Sequence, residues 1–104
     1  MQILKHHRAR IDAIDDQLID LLAQREAIIR EVADIKAAHG IPAVLPDRVE
    51  AVRERAAKRA AENGMDATFV RTLYQQLIDH SCDLEEHLIA RDDNRHDDKK
   101  PETG

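Results

Sequence analysis

Arg25 falls on an apolar row between Leu21 and Ile28, at a position where leucine or isoleucine is expected. A guanidinium buried there without a partner is strongly destabilising, so it must face water, a protein carboxylate or an anionic ligand. Glu85 is one candidate internal partner. Lys36 lies eleven residues beyond Arg25, about three helical turns, which puts both cations on one helix face roughly 16 Å apart. Two long side chains can close that gap around a molecule of metabolite size. Ser81 and Glu85, one turn apart between Leu77 and Leu88, bring a hydroxyl and a carboxyl close to the inner face of another helix. Taken singly, Ser81 bonds back to a helix carbonyl and Glu85 is exposed or pairs with Arg25. A small anionic ligand is allowed, because local charge decides binding in a pocket. Arg8 precedes Arg25 by seventeen residues, roughly 100° around the axis and about 25 Å along it. It is either a solvated helix-end charge or a group that serves a site on a second chain.

Other constellations carry less. His80, Asp83 and His87 have spacings that could hold a metal on one helix face, but no further ligand accompanies them, and they read as a solvated polar face. Arg53, Arg55, Lys58 and Arg59 interleave with Glu50, Glu54 and Glu62, the pattern of a salt-bridged surface rather than a nucleic-acid interface. The single cysteine, Cys82, excludes an intrachain disulfide framework, fits a reducing compartment and reads as a small buried helix residue. Gly-rich phosphate loops and cysteine or histidine nucleophile arrangements are absent.

The elements that must position these residues are helices. Residues 4–39 contain no Pro or Gly, and Ile11, Ile14, Leu18, Leu21, Ile28, Val32 and Ile35 recur at heptad spacing. One helix of roughly 50 Å follows, too long for the rest of the chain to cover, so a second copy of the same helix is the expected cover. Gly40 and Pro42 end it. A second helix begins near Asp47, with Val49, Val52, Ala56 and Ala60 as its inner stripe, and stops at Asn63 and Gly64. The third opens at Asp66, a good N-cap, carries Val70, Leu73, Leu77, Leu84 and Leu88, and ends near Ala90. Residues 91–104 contain no strongly apolar residue and are expected to form a disordered tail behind a helical domain spanning residues 1–90.

Composition agrees with this all-α, three-helix reading. Phe69 and Tyr74 are the only aromatic residues, while helix formers abound. With 104 residues there is room for one modest core that leans on an oligomer contact. A net charge of -5 disfavours nucleic acid and anionic lipid. No stretch is long and apolar enough to span a bilayer, and residues 1–10 lack the apolar run of a signal peptide, so the expected location is cytoplasmic.

The order of these residues resembles the all-helical class of chorismate mutases. The matching string starts at Arg8, runs through Ile11-Asp12, Ile14-Asp15 and Leu22-Ala23-Gln24-Arg25 to Lys36, Pro42 and Arg48. It then takes in Asp66-Ala67 with Phe69, and finally Ser81 and Glu85. The resemblance implies an intertwined homodimer whose sites each borrow an arginine, here Arg8, from the partner. It also implies that Arg8, Arg25 and Arg48 bind two substrate carboxylates, that Ser81 contacts one of them, and that Lys36 and Glu85 flank an ether oxygen. The implied reaction, within aromatic amino acid biosynthesis, is the concerted rearrangement of chorismate to prephenate, which uses no cofactor, metal or nucleophile. Three positions depart from the family's pattern. Glu85 stands where many members have glutamine, and a carboxyl donates a hydrogen bond only while protonated, so its surroundings must keep it protonated or activity must favour acidic pH. Val49 and Leu45 stand where carboxylates often hold the ring hydroxyl. These departures point to a related activity, isochorismate pyruvate lyase, or to a mutase on a modified chorismate. A non-enzymatic dimerisation module is the remaining reading, and Arg25 speaks against it, because a plain coiled-coil seam gains from an apolar residue there.

Overall fold

The computed structural model describes residues 2–98, which form three helices: α1 (Gln2–His39), α2 (Pro46–Glu62) and α3 (Ala67–Asp98). The expected all-α chain with one long N-terminal helix is what is found, and each boundary has a local cause. The 38 residues of α1 extend about 57 Å. Gly40, at φ +66°, closes α1 by letting the Ile41 N–H donate to the Lys36 carbonyl at 2.9 Å. Pro46 opens α2, where a missing N–H is harmless, behind an extended Leu45 that offers no side-chain cap. At the other end Gly64 adopts φ +71°, and Met65 N–H donates to the Ala60 carbonyl at 2.8 Å. Asp66 caps α3, its Oδ1 accepting from the N–H groups of Thr68 at 2.9 Å and Phe69 at 3.2 Å.

One boundary differs from expectation. The third helix, expected to end near Ala90, continues to Asp98. Extending a helix from a packed stem adds one hydrogen bond per residue fixed and needs no new nucleus, so an apolar face is not required. Residues 99–104 of the expected tail lie outside the described residues.

The third helix packs against both others, while α1 and α2 do not pack directly on each other. Ser81 and His80 meet Arg25 and Glu26 of α1. Gln75 and Arg71 meet Arg53 and Glu54 of α2 at 2.7 Å and 3.0 Å. Hydrogen bonds from Arg71, and then from Arg53, hold the Glu54 carboxyl below the usual carboxylate range. Among the described residues the buried apolar ones are mostly small, namely Ala33, Ala43, Ala57 and Ala60 with Val70 and Ile78, so the helices approach closely around little volume.

The chain is elongated, 73 × 30 × 15 Å, with a radius of gyration of 19.1 Å, whereas a compact domain of this length has about 13 Å. All residues from Gln2 to Leu21 are exposed. The apolar row expected along α1 splits in two. Of its members Val32 turns toward the rest of the chain, beside Leu22, Ile29 and Ala33, which that row did not include, while Ile11, Ile14, Leu18, Leu21, Ile28 and Ile35 each remain more than half exposed. No described helix is long and apolar enough to cross a membrane.

Candidate functional site

Because α3 separates α1 from α2, a cleft of ≈ 890 Å³ opens between them, within the range of small-molecule sites. α1 contributes Arg25, Ile28, Val32 and Lys36 to its walls, and α2 contributes Arg48 together with the whole predicted stripe Val49, Val52, Ala56 and Ala60. The floor is the α3 line Val70, Tyr74, Ile78, Ser81 and Glu85. This floor line differs from the leucine stripe expected on α3. Leu77, Leu84 and Leu88 are only half-buried, and Leu73 is exposed at the cleft wall, because a helix packed on two sides divides its apolar surface between them.

Two polar pairs occupy the cleft. Arg25 donates from Nη1 to Ser81 Oγ at 2.7 Å, and Ser81 donates in turn to the Leu77 carbonyl at 3.0 Å. Lys36 Nζ lies 2.7 Å from Glu85 Oε1 and donates to the Ala43 carbonyl at 2.7 Å. The approach of Lys36 to Oε1 is that of an ion pair and lacks hydrogen-bond alignment, so this buried oxygen accepts no hydrogen bond from the described residues. Ser81 and Glu85 are the buried polar residues among those described, 7% and 5% exposed. The alternative pairing of Arg25 with Glu85 does not occur, because Lys36 reaches Glu85 from the end of α1 and leaves Arg25 to the hydroxyl one turn earlier on α3.

Arg48, in the first turn of α2, is exposed at the cleft wall. Among the described residues neither Arg25 nor Arg48 makes an ion pair. Arg55 and Arg59 also line the cleft, so five cations stand against one carboxylate, Glu85. A chain of net negative charge thus carries a locally positive cleft suited to a ligand with more than one negative charge. Arg8 lies on the exposed first half of α1 and does not line the cleft. His80, from the rival metal reading, instead lies 3.3 Å from Glu26.

Sequence reasoning missed the Ala43 carbonyl on Lys36, since a backbone acceptor leaves no mark in residue type. It also passed over Arg55 and Arg59, whose interleaved glutamates suggested a plain surface. Cys82 lines the same cleft half-buried, and burial, followed by the Glu85 charge, pushes its thiol up. A raised thiol is a poor nucleophile at neutral pH. The arrangement therefore suits binding, orientation and charge stabilisation rather than covalent attack.

Residues 7–86 match the family described as chorismate mutase type II. A 4-amino-4-deoxychorismate mutase of Streptomyces venezuelae is 34% identical over 97 residues, covering 93% of this chain and 94% of the relative. A chorismate mutase of Methanocaldococcus jannaschii is 31% identical over 88 residues, 85% and 89% of the two chains. An isochorismate pyruvate lyase of Pseudomonas aeruginosa is 39% identical over 72 residues, 68% and 69%.

Proposed function

This chain belongs to the chorismate mutase type II family, and from that premise we propose that its cleft rearranges chorismate to prephenate within a homodimer, as a cytoplasmic step of aromatic amino acid biosynthesis. Family membership makes it an intramolecular isomerase of the chorismate mutase kind. The observation that carries the site reading is the pairing of Lys36 with Glu85 beside Arg25, Ser81 and Arg48 in one positively charged cleft.

In this reading the forked guanidinium groups of Arg25 and Arg48 take the substrate's two carboxylates. Arg8 of a second copy completes the set, and Ser81 contacts one carboxylate. Holding the enolpyruvyl arm over the ring converts a floppy molecule into a near-attack conformer, which removes several kcal/mol from the barrier. As the C–O bond breaks and the C–C bond forms, negative charge grows on the ether oxygen. Lys36, and Glu85 in its protonated form, stabilise that charge from either side. The open first half of α1 supports the homodimer: its exposed apolar row needs a complementary surface, and the cleft's apolar wall of Val52, Ala56, Val70 and Leu73 offers one.

A second reading has an observation of its own. Leu45 and Val49 line the cleft at the positions where a ring hydroxyl is often held by carboxylates, so a substrate altered at that ring position, such as the 4-amino-4-deoxychorismate named for the Streptomyces venezuelae relative, is accommodated as well. Incubating the purified chain separately with chorismate, 4-amino-4-deoxychorismate and isochorismate, then identifying products, decides between them. Prephenate as the fastest product supports the main reading. A higher kcat/KM on the amino compound transfers the assignment to it, and pyruvate release from isochorismate replaces both with lyase activity.

A further inference from the structure

Lys36 is held at both of its ends by the loop that follows it. Its carbonyl accepts the Ile41 N–H at 2.9 Å, and its Nζ donates to the Ala43 carbonyl at 2.7 Å while lying 2.7 Å from Glu85. An ammonium has three donors. Ala43 takes one and Glu85 faces another, so the loop decides where the remaining one is aimed. The path of that loop depends on Gly40, whose φ of +66° lies in the left-handed region that side chains with a Cβ rarely enter. Pro42 then stiffens the return by fixing its own φ, and Ala43 comes back buried against the site at 9% exposure. A Cβ at Gly40 would meet nothing within 4 Å. The glycine is therefore required for its backbone angle alone and not for space.

We propose that Gly40 is a positioning residue for the reaction: its left-handed turn brings the Ala43 carbonyl onto Lys36 and so fixes the direction of the ammonium in the cleft. This rests on the reading of Lys36 as the group beside the ether oxygen. The C-cap of a helix ordinarily serves stability. Here the capped residue and the side chain at the site are the same residue, so the turn that ends α1 also sets the orientation of Lys36.

The test uses the full chain with chorismate as substrate, comparing Gly40→Ala, Gly40→Asn and Pro42→Gly, with Gly40→Ala also made in a Lys36→Ala background. Gly40→Ala is expected to lower kcat on the order of tenfold, as misplacement of a catalytic group does, with KM changed less than about twofold, because Lys36 is not a carboxylate ligand in this reading. Asparagine tolerates the left-handed region, so Gly40→Asn is expected to recover most of kcat. In the Lys36→Ala background the glycine substitution is expected to leave the residual rate unchanged. A fall by the same factor with and without Lys36, a lowered melting temperature with kcat intact, or an asparagine variant as impaired as the alanine one would each overturn the proposal. Should Gly40→Ala fail to fold, Pro42→Gly decides, since loosening the loop without forcing a strained angle must still lower kcat. Full turnover by Lys36→Ala alone would instead remove the site reading on which the proposal rests.

Discussion

Glu85 and Lys36 face each other at 2.7 Å in a buried corner of the cleft, and the identity of the acid decides how that corner responds to pH. An ionised carboxylate repels the negative charge that grows on an ether oxygen, whereas its protonated form donates to it. Glu85→Gln, which keeps the shape and donates a hydrogen bond whatever the pH, is therefore expected to retain activity. Loss of turnover by the glutamine variant at every pH would make Glu85 a base or a structural counter-ion. Cys82 reports on the same corner. Burial first and the Glu85 charge second push its thiol up, so the reactive thiolate is scarce at neutral pH. Alkylation of Cys82 by iodoacetamide is expected to be slower than that of a free thiol and to speed up with rising pH. It should also speed up in Glu85→Gln, where the second-largest cause is gone. An unchanged rate in that variant would mean that the Glu85 charge does not govern the thiol.

The central helix, α3, is the element on which everything else is assembled, since both α1 and α2 pack on it and not on each other. Its start is fixed by Asp66, which accepts from two backbone N–H groups at 2.9 Å and 3.2 Å. Asp66→Ala is expected to destabilise the chain by about 1 kcal/mol, read as a lower melting temperature, with Asp66→Asn costing less because its side-chain oxygen still accepts. Equal melting temperatures for all three proteins would show that tertiary packing alone sets the start of α3. At the far end, residues 91–104 add no strongly apolar residue. Truncation after Ala90 is accordingly expected to leave melting temperature and activity nearly unchanged, and a marked loss of either would mean that this segment docks.

For the molecule as a whole, shape is the governing fact. A 38-residue first helix lies bare along its first half, with Ile11, Ile14, Leu18 and Leu21 each more than half exposed. An apolar row of that extent is stable in water only against another surface. In the proposed homodimer a second copy supplies one, and the same pairing would bring its Arg8 to a cleft that Arg8 does not line in its own chain. Arg8→Ala and Arg25→Ala are each expected to be inactive alone, and mixing them to restore part of the activity, because in a heterodimer one of the two sites then receives neither substitution. Persistent inactivity despite demonstrated subunit exchange would assign Arg8 to its own chain or to no site.

The helices and their breaks were legible in the sequence because they depend on short-range chemistry: uninterrupted heptads for α1, Gly40 and Asn63-Gly64 as stops, Asp66 as a cap. The oddity of Arg25 on an apolar row was equally legible, and so was its shared face with Lys36. What only the tertiary structure decided is who meets whom. Glu85 pairs with Lys36 rather than Arg25, the row along α1 divides between the chain's own cleft and open surface, and the line facing the cleft on α3 runs through Ser81 and Glu85 rather than the leucines. These outcomes follow from how far each helix is rotated and tilted about its axis and from the reach of long side chains. Periodicity specifies a helix and its apolar side only to within a broad arc, whereas the relative rotation of packed helices is fixed by contacts between residues far apart in the chain.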